Sequence, residues 1–314
     1  MIGPLAPGSI SLGLSVTAGP AAGAVDRLRE TAIAAVEAGF DGVTLSEHHG
    51  GFPGYLPTPI LVAALLRDRL PRGWAIACPS ILPLRSAPMV AEELAWSAAA
   101  HPGEIAAGFV PGYQERDFAV TGGDFATRRT RYWRQLAEVT ALLSGRTALG
   151  EDPALAACAQ SPIPVVSGVA GPLGARHAAR AGAGLLITSL PDAQEVARVV
   201  GAYRAEGGDG PRVLIRRAWT GGTRVAADAK VGRWRDNAGG AAWLAKTPAG
   251  VATGRGDEVA THLATDARAG GATALNIRVD VDGAGHAETL AQIATLGKDV
   301  LPKLRTEFDP ATGK

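Results

Sequence analysis

Glu47, His48 and His49 stand side by side in the chain, and a carboxylate beside two imidazoles can hold an acid or a base near neutral pH. The triplet directly follows Val43-Thr44-Leu45, a short apolar run that reads as a buried strand. A loop of Gly, Phe, Pro and Tyr over residues 50–57 comes next. Ionisable groups at the carboxyl end of a parallel strand, ahead of a long loop, lie where α/β proteins carry their chemistry. Taken alone, the triplet fits a strand end with a solvated polar turn equally well. Consecutive strand residues point to opposite faces, which argues against chelation of one metal ion by all three. No other His/Cys/Asp/Glu set has metal-ligand spacing, so no metal site is expected.

The elements that must position the triplet recur with one rhythm. Apolar, β-branched runs predict strands over 10–16, 43–45, 74–82, 104–110, 165–168, 185–190, 212–219 and 275–279. Between them, helical spacing of apolar residues predicts helices over 26–38, 59–70, 88–100, 127–144, 172–180, 192–206, 226–244, 257–269 and 286–304. Asp26 and Asp192 are candidate N-caps, and Pro59 and Pro88 suit first helical turns. Residues 111–118 read as a loop. Eight β/α units over roughly 250–300 residues favour a closed (β/α)8 TIM barrel with compact insertions. An open doubly wound sheet is the runner-up. No low-complexity linker divides residues 1–314, so the chain reads as one domain.

Composition removes several classes of function. Hydrophobic residues make up 46% and charged residues 19%, enough for a large core. A net charge of +1 offers no general attraction to nucleic acid or an anionic membrane. The two cysteines, Cys78 and Cys158, lie in apolar surroundings and make no disulfide framework. No apolar run approaches about 18 residues, and no basic-then-apolar leader opens the chain. A cytoplasmic protein is the expectation.

Several stretches, in order, carry a resemblance. They are residues 38–49 through Glu47-His48-His49, Leu82-Pro83-Leu84-Arg85 with Ala91-Glu92-Glu93, residues 108–118, Phe125-Ala126-Thr127-Arg128-Arg129, residues 165–184, and Asp257-Glu258-Val259 with residues 270–279. Together they resemble the bacterial luciferase-like monooxygenase superfamily over nearly the whole chain. The resemblance implies a TIM barrel whose strand ends hold reduced FMN, or the deazaflavin F420 as the alternative. Many members take FMNH2 from a separate reductase, react it with dioxygen and oxygenate a small organic substrate. The F420-dependent alternative moves hydride. A third reading is a barrel that has lost catalysis and serves as a binding or partner subunit. A homodimer, or a heterodimer with a paralogue, is implied as well.

The family's catalytic histidine falls on His48, which the resemblance expects to hydrogen-bond and pass a proton to the flavin peroxide or the substrate, with Glu47 and His49 in support. Members often carry a cis peptide between non-proline residues at a bulge in the third strand, under the cofactor ring. Here that bond falls at Cys78-Pro79, with Ser80 beside it. A non-proline cis bond costs about 3 kcal/mol and an X-Pro cis bond about 0.5–1 kcal/mol, so Cys78-Pro79 is predicted to be cis. The remaining cofactor candidates are Pro111, Gly112 and Tyr113 after the fourth strand, and Ser167, Gly168, Ala170 and Gly171 before a helix N-terminus suited to phosphate. Two departures weaken the phosphate site. Pro111 stands where many members carry an arginine, and the turn at 167–172 lacks most of the usual hydroxyls. Arg85 and Arg176 are possible replacements. Phe52, Tyr55, His49, Gln114, Trp219 and Trp243 are substrate candidates, with Trp234 beside Trp243 in a variable region, about 220–253, that lids the pocket in the family. Arginines 128–134 read as a solvated helix face.

Overall fold

The computed structural model describes residues 2–16, 19–221, 251–279 and 284–308. Most of the 220–253 region, including Trp234, Trp243 and the helix expected over 226–244, lies outside the described residues. The elements in order are β1 (Ile10–Gly13), α1 (Ala21–Glu37), β2 (Gly42–Leu45), α2 (Pro59–Arg67), β3 (Trp74–Ala77), β4 (Ser80–Ile81), a 3-10 turn (Leu82–Leu84) and α3 (Ala87–Ala100). Then come β5 (Ala107–Val110), α4 (Glu115–Thr121), α5 (Arg128–Leu143), α6 (Pro153–Ala157), β6 (Val165–Val169), α7 (Pro172–Arg180), β7 (Gly184–Ile187), α8 (Ala193–Ala205) and β8 (Arg212–Thr220). The chain continues through β9 (Ala252–Gly254), α9 (Gly256–Gly270), β10 (Ala274–Arg278), α10 (His286–Thr295), a π-helical turn (Leu296–Val300) and α11 (Leu301–Glu307).

The strands lie side by side in the order β3-β2-β1-β10-β8-β7-β6-β5-β4, and every ladder between them is parallel. β3 and β4 are two halves of one strand, interrupted at Cys78-Pro79, so the two ends of the order are the same strand and the sheet closes into a TIM-like barrel. The Cys78-Pro79 bond is cis, as the sequence predicts. Gly108 of β5 lets the halves meet: a Cβ there would run into Cys78 Sγ.

Alternation along the strands sorts the interior into layers. Trp74, Ile76, Val166, Val213, Ile215 and Ala274 pack with Leu5 as an apolar floor. Above it, Asn276 Nδ2 donates to Ser11 Oγ (2.9 Å) and Thr44 Oγ1 (3.0 Å). Outward residues such as Ile10, Leu12, Leu214, Leu275 and Ile277 pack against the helices.

Three predicted elements differ, each for a visible reason. α1 begins at Ala21, straight after Pro20, and Asp26 does not cap it; its carboxylate accepts from Arg29 Nη1 instead (2.7 Å). Residues 115–121 form a helix that begins inside the loop predicted over 111–118 and runs past its end. Glu115 and Asp117 sit in its first turn, where acids suit the helix dipole, and Gly122 stops it in the left-handed region. The final helix is broken by the π-helical turn, where Gly297 packs against the Ala38 carbonyl and Pro302 follows without an N–H to donate.

Candidate active site

The strand end after β2 separates the triplet by face. His48 points toward the barrel mouth, while Glu47 and His49 point the other way. Glu47 is buried, and its Oε2 accepts the Ile81 N–H (3.0 Å) while Oε1 meets His49 Nε2 at 2.8 Å. The Glu47 N–H in turn donates to Pro79 O (3.0 Å). Glu47 thus fastens β2 to β4 across the cis bond and does not touch His48, which corrects its expected place beside that histidine. Glu47 and His49 line a cleft of about 600 Å³ with Thr58, Arg85 and Glu93, on the helix side of the strand. The hydrogen bond that His49 donates to Glu47, reinforced by the Glu47 and Asp117 charges, raises the His49 pKa above its ordinary value.

His48 is bound at both nitrogens. Its Nδ1 lies 2.7 Å from Oδ2 of Asp117, and its Nε2 lies 3.0 Å from the Tyr113 hydroxyl. A carboxylate only accepts, so Nδ1 carries a proton and donates it to Asp117. Asp117 is fully buried, and its Oδ1 also accepts the His49 N–H (2.8 Å). In the neutral imidazole Nε2 is therefore the free base, accepting from Tyr113 O–H. Phe52 stacks on the ring (centroids 4.4 Å, 24°), and Tyr55 and Tyr113 meet it edge-on (4.6 and 5.1 Å). The loop holding Phe52 and Tyr55 folds back on β2, where the His48 N–H donates to Leu56 O and the Leu56 N–H to Ser46 O. Its tip is fixed by Arg116, which donates to Gly50 O and stands over Phe52.

Tyr113 and Asp117 come from the turn after β5 and the first turn of α4. Gly112 makes that turn possible: its φ is +77°, and a Cβ would lie 2.9 Å from both Ile81 Cγ2 and Phe118. Gln114 is buried beside them. Asp117 is the functional residue that sequence reasoning missed. Acids in a helix N-terminal turn were the available signal, but nothing local says which of Glu115 and Asp117 turns inward.

The other candidates divide. Cys78 faces the interior, and burial pushes its thiol up to about 12. Ser80 is in register with Phe109, and Phe109 with Ser167, on the side that faces the helices. Ser167 is fully buried and its hydroxyl lies 2.6 Å from that of Tyr132. The turn before α7 therefore offers backbone rather than hydroxyls. Gly168 lies under Val110, whose side chain a Cβ there would strike. Ala170 is exposed, and nothing stands within 4 Å of where a Cβ at Gly171 would be, so the N-terminus of α7 is open. Pro111 is half-buried. Arg128 is not part of a solvated face as expected. It stacks on Phe125 at 3.6 Å, donates to Phe125 O (2.7 Å) and Gly112 O (3.3 Å), and brings a guanidinium to the loop where Pro111 replaces one. Arg85 pairs with Glu93, and Arg176 is exposed on α7. Trp219 is buried against Val251 at the rim. Among the described residues no group of three His, Cys, Asp or Glu side chains could hold a metal ion, and no helix is long and apolar enough to cross a membrane.

A buried imidazole oriented by a carboxylate, at the carboxyl end of a barrel strand, has the geometry to hold and release a proton. Residues 8–299 match the family model for luciferase-like monooxygenases. The chain belongs to the luciferase-like monooxygenase family. Members of this family are oxidoreductases, and this luciferase-like chain is an enzyme of that kind. No curated protein sequence matches it. Among solved structures it is similar to the monooxygenase RslO1 from Streptomyces bottropensis, with 20% identity, TM-score 0.74, and 94% of this chain and 99% of that one covered. It is similar to an F420-dependent secondary alcohol dehydrogenase in complex with an F420-acetone adduct, with 14% identity, TM-score 0.70 and coverage of 94% and 98%. A third is the oxygenating constituent of 3,6-diketocamphane monooxygenase from Pseudomonas putida in complex with FMN, with 13% identity, TM-score 0.70 and coverage of 94% and 98%. At these identities the likeness is one of fold.

The residues present fit a flavin-type cofactor. The cis bulge and Val110 give an apolar surface inside the mouth, His48 and Tyr113 stand at its edge, and the open α7 N-terminus with Arg128 near it suits a phosphate.

Proposed function

We propose that this chain is a monooxygenase that takes reduced FMN from a separate reductase and oxygenates a small organic substrate with dioxygen. The observation that carries the reading is the Asp117–His48–Tyr113 chain of hydrogen bonds at the mouth of a family barrel. Reduced FMN, when bound, supplies the two electrons that activate dioxygen. The chain's own residues handle protons and water. Asp117 fixes the Nδ1–H tautomer of His48, so Nε2 faces Tyr113 as a base. Tyr113, half-buried where His48 is buried, is the residue that meets a bound molecule. When the Tyr113 hydroxyl takes a proton from a bound molecule, Nε2 accepts the hydroxyl's own proton, and Asp117 stabilises the imidazolium that results. Phe52 and Tyr55 cover the imidazole and keep water from it, so its proton goes to the mouth rather than to bulk solvent.

The α7 N-terminus would hold the phosphate through backbone N–H groups. Arg128 would supply the charge that Pro111 cannot. F420-dependent hydride transfer is the competing reading, supported by the likeness in fold to the F420-dependent secondary alcohol dehydrogenase. Anaerobic fluorescence titration with FMN, FMNH2 and F420 separates the two. Tight FMNH2 binding with weak FMN binding supports the monooxygenase. F420 binding alone replaces it with hydride transfer, and no binding of any of the three overturns both.

A homodimer through α2 and α3 belongs to the same proposal. Leu61 and Leu65 on α2, and Met89 and Trp96 on α3, are between 55% and 59% exposed, an apolar surface of the sort that marks an interface. Light scattering at two concentrations tests it, and a monomer at both rejects it.

A further inference from the structure

We propose that Arg278 and Arg217 form an oxyanion subsite in the barrel mouth, and that the substrate is accordingly an organic acid carrying a carboxylate or sulfonate. The substrate assignment rests on the monooxygenase reading; the anion site itself does not.

The two arginines end neighbouring strands in register, Arg278 on β10 against Arg217 on β8. Both alternate onto the interior face. Asn276, two residues before Arg278, bonds to Ser11 and Thr44 inside the barrel, and Ile215, two before Arg217, packs into the floor. Adjacent strands lie about 4.8 Å apart, so the two arginines start side by side; their head groups then part, Arg278 toward Ser46 beyond β2 and Arg217 toward Ser189 beyond β7. Arg278 is only 7% exposed. Its Nη2 donates to Ser46 Oγ (3.1 Å), and its Nε is buried with no partner. Arg217 donates to Ser189 Oγ, and its Nε is likewise buried without a partner. Among the described residues neither arginine makes an ion pair.

The preceding residue shows what the chain does with a buried arginine that needs only structure. Arg216 points outward, donates to Asp266 Oδ2 (2.8 Å) and caps two carbonyls, Ile215 O and Pro191 O. Buried charges are paired or hydrogen-bonded throughout as a rule, because leaving water is costly. Arg278, buried, and Arg217, half-buried, depart from it together, at the end of the barrel where a ligand enters.

Their position fits a substrate. Arg278 reaches across β1 to β2 because Gly13 has no side chain; a Cβ there would lie 2.9 Å from Arg278 Nε. The hydroxyl it meets, on Ser46, lies two residues before His48, on the same face of the strand. That spacing is about 6.6 Å. An anion held by the guanidinium would therefore place the rest of a small molecule before His48 and Tyr113. A cofactor phosphate has another place, at the open N-terminus of α7, two strands from Arg217 around the barrel. A guanidinium calls for a full negative charge and a planar oxyanion; Arg278, beside Ser46, is placed to bind it, and Arg217 adds its charge from the Ser189 side.

The test is isothermal titration of the purified protein, in buffer free of phosphate and sulfate, with benzoate, benzenesulfonate and neutral benzamide. Both anions are expected to bind and benzamide is not. Arg278→Gln should weaken benzoate binding at least about tenfold, the loss expected when a charged donor is removed. Arg278→Lys should restore part of the affinity, and Arg217→Gln should weaken it as well. If Arg278→Gln does not fold, as judged by circular dichroism, Arg278→Lys and Arg217→Gln carry the comparison. Equal binding of benzoate and benzamide, or unchanged benzoate affinity in the folded variants, overturns the subsite. Fluorescence titration with FMNH2 and F420 runs in parallel. Failure of the wild-type protein to bind either, with benzoate binding still dependent on Arg278, removes the monooxygenase reading and leaves the anion site standing. Loss of FMNH2 binding in the arginine variants, with no benzoate binding in the wild type, assigns the pair to the cofactor and overturns the proposal.

Discussion

Asp117→Asn changes no volume and reverses one polarity, so it isolates what the buried carboxylate does. Asp117 accepts two N–H groups, from His48 Nδ1 at 2.7 Å and from the His49 backbone at 2.8 Å, and is fully buried. An asparagine can accept only one of them. The backbone N–H cannot become an acceptor, so the amide oxygen stays on His49 and the NH2 group turns to His48. Nδ1 must then accept, which moves the imidazole proton to Nε2. Tyr113 loses its acceptor and meets a donor. Losing a bond to a buried charge costs about 1.5–3 kcal/mol, and that is the expected fall in unfolding free energy by urea denaturation. Removing a positioned base costs about 100- to 10,000-fold in rate, so turnover should fall within that range while substrate binding holds. Nitrogen-15 NMR of histidine-labelled protein reads the cause directly: protonated Nδ1 in the wild type and protonated Nε2 in the variant. An unchanged tautomer, with stability within about 0.5 kcal/mol of wild type, would refute the positioning role of Asp117.

Other expectations follow from the same geometry. Tyr113→Phe removes the hydroxyl on Nε2 and should slow single turnover at least about tenfold while leaving the melting temperature nearly unchanged; an unaltered rate takes Tyr113 out of the relay. His49 has a raised pKa in the fold, chiefly through its hydrogen bond to Glu47. Its contribution to stability is thus fully present below the unfolded value of about 6.5 and is lost as pH rises through the folded value. The melting difference between wild type and His49→Gln should be larger at pH 6 than at pH 8.5, and a difference that grows with pH would reverse the assignment. Gly112→Ala puts a Cβ 2.9 Å from Ile81 and Phe118 at a φ of +77°. It should cost at least about 2 kcal/mol in urea denaturation, from the left-handed conformation and the overpacking together.

The parts of this account that were legible in the sequence are the local ones. Strand and helix rhythm is a matter of neighbours, so the closed barrel and the start of α7 at Pro172 could be read directly. The cis bond at Cys78-Pro79 followed from the resemblance and from the low cost of cis proline. The triplet at 47–49 was legible as the end of a buried strand, and the choice of His48 within it came from the resemblance. The partner of His48 was not legible. Asp117 is 69 residues away, in a helix that periodicity over seven residues cannot reveal. Alternation did hold more than metal chelation. The same period of two that keeps Glu47, His48 and His49 from one ion also puts Glu47 and His49 on the opposite side from His48. It likewise places Asn276 and Arg278 on one face, but whether that face is core or mouth depends on closure of the barrel. Arg128 was misread for a related reason: a basic helix start looks solvated until the turn at Gly112 is seen to meet it.

The most direct test of the central claim is an anaerobic crystal structure of the protein with FMN reduced in the crystal. The account predicts density for the ring in the barrel mouth, against the Cys78-Pro79 bulge and within hydrogen-bond reach of Tyr113 or His48, with the phosphate at the N-terminus of α7. A ring bound elsewhere, or one in the mouth turned away from both residues, would contradict it.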